Sequence, residues 1–181
     1  MGQQKTMKIA AQIFGLGAMI SLFCIYQQKS RKGMLLAKLS ADICWVVHYL
    51  CLGGFAGMIP NGIGIFRELI FINRKEKVWA SSIFWPGIFI VINWLLGFRT
   101  FSMWYNILPI LASTVVTVSL WIDNPKLTKC MTVPISLSFL IYDVFIGSYI
   151  GVINELISIA SIALYFIRSK GRNKDAQSVH E

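Results

Sequence analysis

Charge is what this sequence has least of. Only 14% of its 181 residues are Asp, Glu, Lys or Arg, against about a quarter in soluble domains, which excludes a water-soluble fold. Paired cysteines are missing as well. Cys24, Cys44, Cys51 and Cys130 lie in or beside apolar segments with no Cys-x-x-Cys spacing, so neither a disulfide framework nor a zinc site is expected, and the four read as buried free thiols. Catalytic spacing is absent too. A single His falls within an apolar run, and no His-x-Glu, Gly-x-Ser-x-Gly or paired-His motif occurs. The chain is therefore expected not to be an enzyme and to use neither cofactor nor metal. No small-residue cleavage pattern precedes "QQKSRKG", so the first apolar stretch, "KIAAQIFGLGAMISLFCIY", is expected to stay as a helix rather than leave as a signal peptide.

What is there is apolar sequence. The hydrophobic share is 56% and the mean hydropathy is +0.64. A spanning helix takes roughly 20 mainly apolar residues, and seven such runs can be marked: 8–26, 34–52, 55–73, 80–97, 101–122, 130–147 and 149–168. Little remains between them. The polar tail 169–181, "SKGRNKDAQSVHE", is too short to fold alone, so function belongs to the bundle or its loops. The expected fold class is all-α membrane, with seven transmembrane helices.

The basic residues divide between the two faces that seven crossings create. One face receives Lys29, Arg31, Lys32, Arg74, Lys75, Lys77, Lys126, Lys129, Arg168, Lys170, Arg172 and Lys174, and the other only Lys5, Lys8 and Arg99. By the positive-inside rule the rich face is cytoplasmic, which puts the N-terminus in the periplasm and the C-terminus in the cytoplasm. Trp79 and Trp121 near one set of helix ends, and Trp94 and Trp104 near the other, fit two interfacial aromatic belts. The net charge of +9 is thus explained by topology, and no nucleic-acid partner is expected.

An internal repeat runs through the chain. "WVVHYLCLGGFAGMIPN" (45–61) lies over "FLIYDVFIGSYIGVINE" (139–155), matching Trp45 with Phe139, His48 with Tyr142, Gly53 with Gly147, Gly57 with Gly151 and Asn61 with Glu155. A shift of one residue would match Asn61 with Asn154 instead. Each copy spans three helices, giving a first repeat at 8–73, a connector helix at 80–97 and a second repeat at 101–168. An odd connector lets both copies insert in the same orientation, a parallel-repeat arrangement known in transporters.

"WVVHYLCLGG" followed by "IPNGIG" in such a bundle resembles the SWEET and PQ-loop class of small solute carriers. More closely, "HYLCLGG", "FRELI" and "FLIYDVFIGSYIG" resemble the YgjV-type family of bacterial inner-membrane proteins over nearly the whole chain. The resemblance implies location in the bacterial inner membrane and the three-one-three architecture. PQ-loop proteins carry Pro-Gln after their first helix, where this chain has Gln27 and Gln28. Only Pro109 and Pro134 lie within helices one, two, five and six.

Ionisable residues within spans are costly and mark functional candidates. Counting along the helices gives two layers. Lys38, Asp42, Arg67 and Glu68 fall at one depth near the cytoplasmic ends, and their charges sum to zero, as structural ion pairs would; snorkelling of Lys38 and Arg67 to the interface is the alternative. His48, Asn61, Asp143 and Glu155 fall near the periplasmic ends, and with Trp45 and Tyr142 they form the candidate substrate-binding set. Gly53, Gly54 and Gly147 read as tight turns. Gly57, Gly64 and Gly151 read as sites where helix backbones approach closely, and Ser158 and Ser161 extend that small stripe.

The leading functional expectation is a transporter of a small polar metabolite working by alternating access. The alternative is a non-transporting scaffold, assembly partner or sensor whose charges only fix helix register. The expected partners are the lipid bilayer and a small polar solute, with self-assembly into a homo-oligomer left open.

Overall fold

The computed structural model describes residues 2–25, 28, 30–122 and 124–178. Gln27, Lys29 and residues 179–181, which entered the charge and loop readings, lie outside the described residues, as do the side chains of Lys126, Arg168, Lys170, Arg172 and Lys174. Seven α-helices account for nearly all of the described chain: α1 (Gly2–Ile25), α2 (Arg31–Leu52), α3 (Phe55–Ile72), α4 (Phe84–Phe98), α5 (Ile107–Ile122), α6 (Pro125–Ile146) and α7 (Tyr149–Ser178). No strand occurs among the described residues.

Local chemistry sets the boundaries. Ser30, in an extended conformation, opens α2 by accepting a hydrogen bond from the Gly33 amide at 3.0 Å, which satisfies one of the free donors of a helix start. The run expected at 80–97 is divided. Val78–Ser81 forms a 3₁₀ turn, Ser82 is extended, and α4 begins only at Phe84. Pro86 explains the break, because it has no N–H to return to the Ser82 carbonyl four residues back. At the other end of the chain, α7 continues through Ser178, well past 168.

Five helices are long and apolar enough to cross a membrane: Gln4–Ile25, Arg31–Leu52, Phe55–Ile72, Trp104–Ile122 and Leu127–Ile146. The remaining two apolar segments, Phe84–Phe98 and Tyr149–Tyr165, are shorter. At about 1.5 Å per residue, α4 reaches roughly 22 Å, less than the roughly 30 Å of bilayer hydrocarbon.

Helix α2 packs against both α1 and α3, and α6 packs in the same way against α5 and α7. Helix α4 leans on α3 and α5, while α3 meets α5 and α1 meets α7. The bundle is inverted relative to a soluble protein. Its buried residues include Asp42, His48, Arg67, Glu68, Asn93 and Asp143, whereas Ile13, Phe66, Leu95 and Val144 are exposed. Such a surface is stable only where its surroundings are apolar.

Candidate functional site

Two turns at one end of the bundle frame the site. Gly53 and Gly147 both take left-handed backbone angles, φ 72° and 71°, after α2 and α6. In the first turn the Gly53 amide donates to the Leu50 carbonyl and the Gly54 amide to Tyr49; in the second, Gly147 donates to Val144 and Ser148 to Asp143. This is the same two-bond helix ending each time, and glycine is the residue that takes its left-handed angle without strain.

The residues just before and after these turns reach across to the other set of three helices. Tyr49 on α2 donates its hydroxyl to Asp143 Oδ1 on α6 at 3.0 Å. Tyr142, beside Asp143, accepts the Gly57 amide of α3 at 2.9 Å. His48 Nε2 meets the Ser148 hydroxyl at 2.7 Å, while its Nδ1 meets the Ala11 carbonyl of α1 at 2.6 Å. Trp45 supports this group from within α2, stacked against Tyr49 with ring centroids 5.7 Å apart and edge-on to His48 at 5.0 Å. Four of the six residues expected to bind substrate, Trp45, His48, Tyr142 and Asp143, are therefore gathered in one buried cluster.

Asn61 and Glu155 sit one to two turns deeper. The Asn61 amide donates to the Gly57 carbonyl of its own helix at 2.8 Å, and Glu155 accepts from Asn154 at 2.9 Å. No hydrogen bond joins Asn61 to Glu155 among the described residues.

The charged layer lies toward the opposite end. Lys38 Nζ contacts Asp42 Oδ1 at 2.8 Å and Glu68 Oε1 at 3.6 Å, and Arg67 contacts Glu68 Oε1 at 3.0 Å and Asp42 Oδ2 at 3.9 Å. Arg67 is 2% exposed and donates its remaining guanidinium arm to Thr117 on α5 at 2.9 Å; it does not snorkel. Lys38, with 20% of its side chain accessible, is the member that keeps some contact with the surface. Farther toward this end, Arg31 donates to the Leu120 carbonyl at 3.2 Å and Arg74 to the Trp121 carbonyl, the latter guanidinium also lying 3.8 Å from the Trp121 ring centroid. Two arginines, one at the start of α2 and one in the turn after α3, thus cap carbonyls at the end of α5.

The glycine stripe works differently from the expected close approach of backbones. At Gly57 a Cβ would stand 2.7 Å from the Tyr142 ring, at Gly64 it would strike Asp42, and at Gly151 it would strike Asp143 and Ser148. These glycines admit polar side chains against a bare helix backbone.

Tyr49, Ser148 and Thr117 are site residues that the sequence reading did not select. Ser148 has one legible signal, its place after Gly147 in a turn that matches Gly53–Gly54. Thr117 has none, being one of several hydroxyl residues in "LASTVVTVSLW".

An all-helical bundle with an apolar exterior and ionic layers inside is an integral membrane protein. The chain belongs to the Imp-YgjV family of bacterial inner membrane proteins, whose model matches residues 9–173. Its place is accordingly the bacterial inner membrane. No curated protein and no solved structure matches the chain.

Proposed function

We propose that the protein carries a small polar solute across the inner membrane by alternating access, with two three-helix halves, 8–73 and 101–168, rocking about a seam and 80–97 linking them. In this reading all seven apolar helices insert, with the N-terminus periplasmic and the C-terminus cytoplasmic. The observation that carries it is that polar contacts join the halves at both ends of the seam. The periplasmic end has Tyr49 with Asp143, His48 with Ser148 and Gly57 with Tyr142. The cytoplasmic end has Arg67 with Thr117, Arg31 with Leu120 and Arg74 with Trp121. Two sets of contacts that can break one at a time are what alternating access requires.

The matched turns support the repeat and favour the register that sets Asn61 against Glu155. The solute would lie between the two polar layers, where the Asn61 amide offers both donors and acceptors and Glu155 a carboxyl group. Asn61→Ala and Glu155→Gln are expected to abolish uptake while leaving insertion and stability nearly unchanged. The check is mass spectrometry of the contents of proteoliposomes incubated with an extract of small polar metabolites. Contents identical to those of protein-free vesicles across the whole extract would favour the scaffold reading, in which the same contacts only fix helix register.

A further inference from the structure

The hydrogen bonds around Asp143 do not close with the protons that a neutral His48 and an ionised Asp143 supply. The Ala11 carbonyl can only accept, so the hydrogen in its 2.6 Å contact sits on His48 Nδ1. A neutral His48 then accepts at Nε2, and the hydrogen in that 2.7 Å contact comes from the Ser148 hydroxyl. Tyr49 uses its one hydrogen on Asp143 Oδ1. Asp143 Oδ2 remains buried without a donor. Ser148 Oγ and Asp143 Oδ2 stand 2.4 and 2.3 Å from the point where a Cβ on residue 151 would be, and Ser148 is among the side chains that act on the Asp143 carboxyl; its oxygen still has capacity to accept.

We propose that one further proton is bound here, on Asp143 Oδ2 and directed at Ser148 Oγ, so that an ordered chain Asp143–Ser148–His48–Ala11 crosses the seam as a proton-binding site. Charge balance leads to the same place. Lys38, Asp42, Arg67 and Glu68 offset one another in direct contact, whereas neither Asp143 nor Glu155 has a Lys or Arg partner among the described residues. Two uncompensated carboxylates facing each other in a low-dielectric interior do not both stay charged. Each carboxyl has a donor, the Asn154 amide on Glu155 Oε1 and the Tyr49 hydroxyl on Asp143 Oδ1; of the two residues, only Asp143 keeps a buried oxygen, Oδ2, without a partner among the described residues. Placing the proton on His48 would instead leave opposite charges on either side of Ser148 inside the bilayer, while placing it on Asp143 leaves the chain neutral. The Gly151 backbone closes on Asp143 and Ser148 too tightly for a methyl group on residue 151, which keeps the two side chains packed against bare backbone.

The titratable groups that face Asp143 are His48 and Tyr49 from α2, Tyr142 on its own helix and Glu155 from α7, with Tyr105 packed behind Tyr142. Helix α3 meets this cluster with Gly57, α1 supplies the Ala11 carbonyl, and α5 has no charged residue. If the carrier reading holds, parting of the halves exposes Asp143 to water and releases the proton, making it the coupling ion. That step rests on the proposed function; the bound proton does not.

The test is infrared difference spectroscopy of the full-length protein in lipid, with no solute present. A C=O stretch of a protonated carboxylic acid is expected at neutral pH, shifted on exchange into D2O. It should be lost in Asp143→Asn and moved in frequency in Tyr49→Phe and Ser148→Ala, which remove its two hydrogen-bonding neighbours. Absence of the band in the wild-type protein would overturn the proposal. So would a band that Glu155→Gln removes in place of Asp143→Asn, or one that sodium abolishes at constant pH. Should Asp143→Asn fail to insert, the other two variants decide, and a band unmoved in both overturns the assignment. A band found in a protein that transports nothing would refute the carrier and leave the proton site standing.

Discussion

At the scale of single residues, the decisive feature is that polar groups are buried with partners from other helices. Asp42 and Arg67 are 2% exposed each and belong to one network. Removing either partner strands the rest. Asp42→Asn or Arg67→Met alone is expected to cost roughly 3 to 5 kcal/mol, read as lost folded yield in detergent, and the double variant should recover part of that loss. Strictly additive losses would show that the two do not act together. A gentler pair of substitutions isolates the glycine effect. Gly151→Ala brings a methyl group onto Asp143 and Ser148 and should lower thermal stability, while Gly87→Ala, with nothing within 4 Å of the new carbon, should leave stability unchanged or raise it by roughly 0.5 to 1 kcal/mol. Much of this layer was legible in the sequence, because charges in apolar runs are conspicuous and Lys38, Asp42, Arg67 and Glu68 fall at one depth along their helices. Their partners were not. Which hydroxyl meets Arg67 depends on how α5 docks, and nothing local distinguishes Thr117 from Thr114 or Ser113.

At the scale of elements, helix endings carry more information than helix middles. Gly53 and Gly147 adopt the same left-handed angle in the same hydrogen-bonded turn, an ending that glycine commonly gives to helices. Gly53→Ala and Gly147→Ala should each destabilise by roughly 1 kcal/mol, measured by thermal unfolding, and by similar amounts if the turns are equivalent. The sequence showed these turns through their glycines. It did not show that α4 starts late, because apolar content continues across 80–97 and only the missing N–H of Pro86 divides it. The extension of α7 through Ser178 has no local signal at all: hydropathy ends near 168, and "SKGRNKDAQS" carries Gly171, Asn173 and Asp175, all poor helix formers.

At the scale of the whole molecule, the two sets of three helices meet through polar contacts at both ends of a seam, within an apolar shell. The proposed orientation rests on the basic residues of the loops. A reporter fused after residue 170 should be cytoplasmic and one near Gly53 or Gly147 periplasmic; the reverse pattern would turn the topology over. The more demanding question is whether the halves move, and it can be answered without knowing the solute. Spin labels would be placed at Leu50 and Val144, exposed at one end of the seam, and separately at Lys77 and Ile122, exposed at the other, in full-length protein whose native cysteines are replaced by serine. The two pairs would be measured by electron–electron resonance in lipid. A carrier gives two distance populations at each end, and conditions that lengthen one pair shorten the other. A single narrow distance at both ends, unchanged by pH or by the metabolite extract, would mean that the seam does not open and that the bundle is a scaffold.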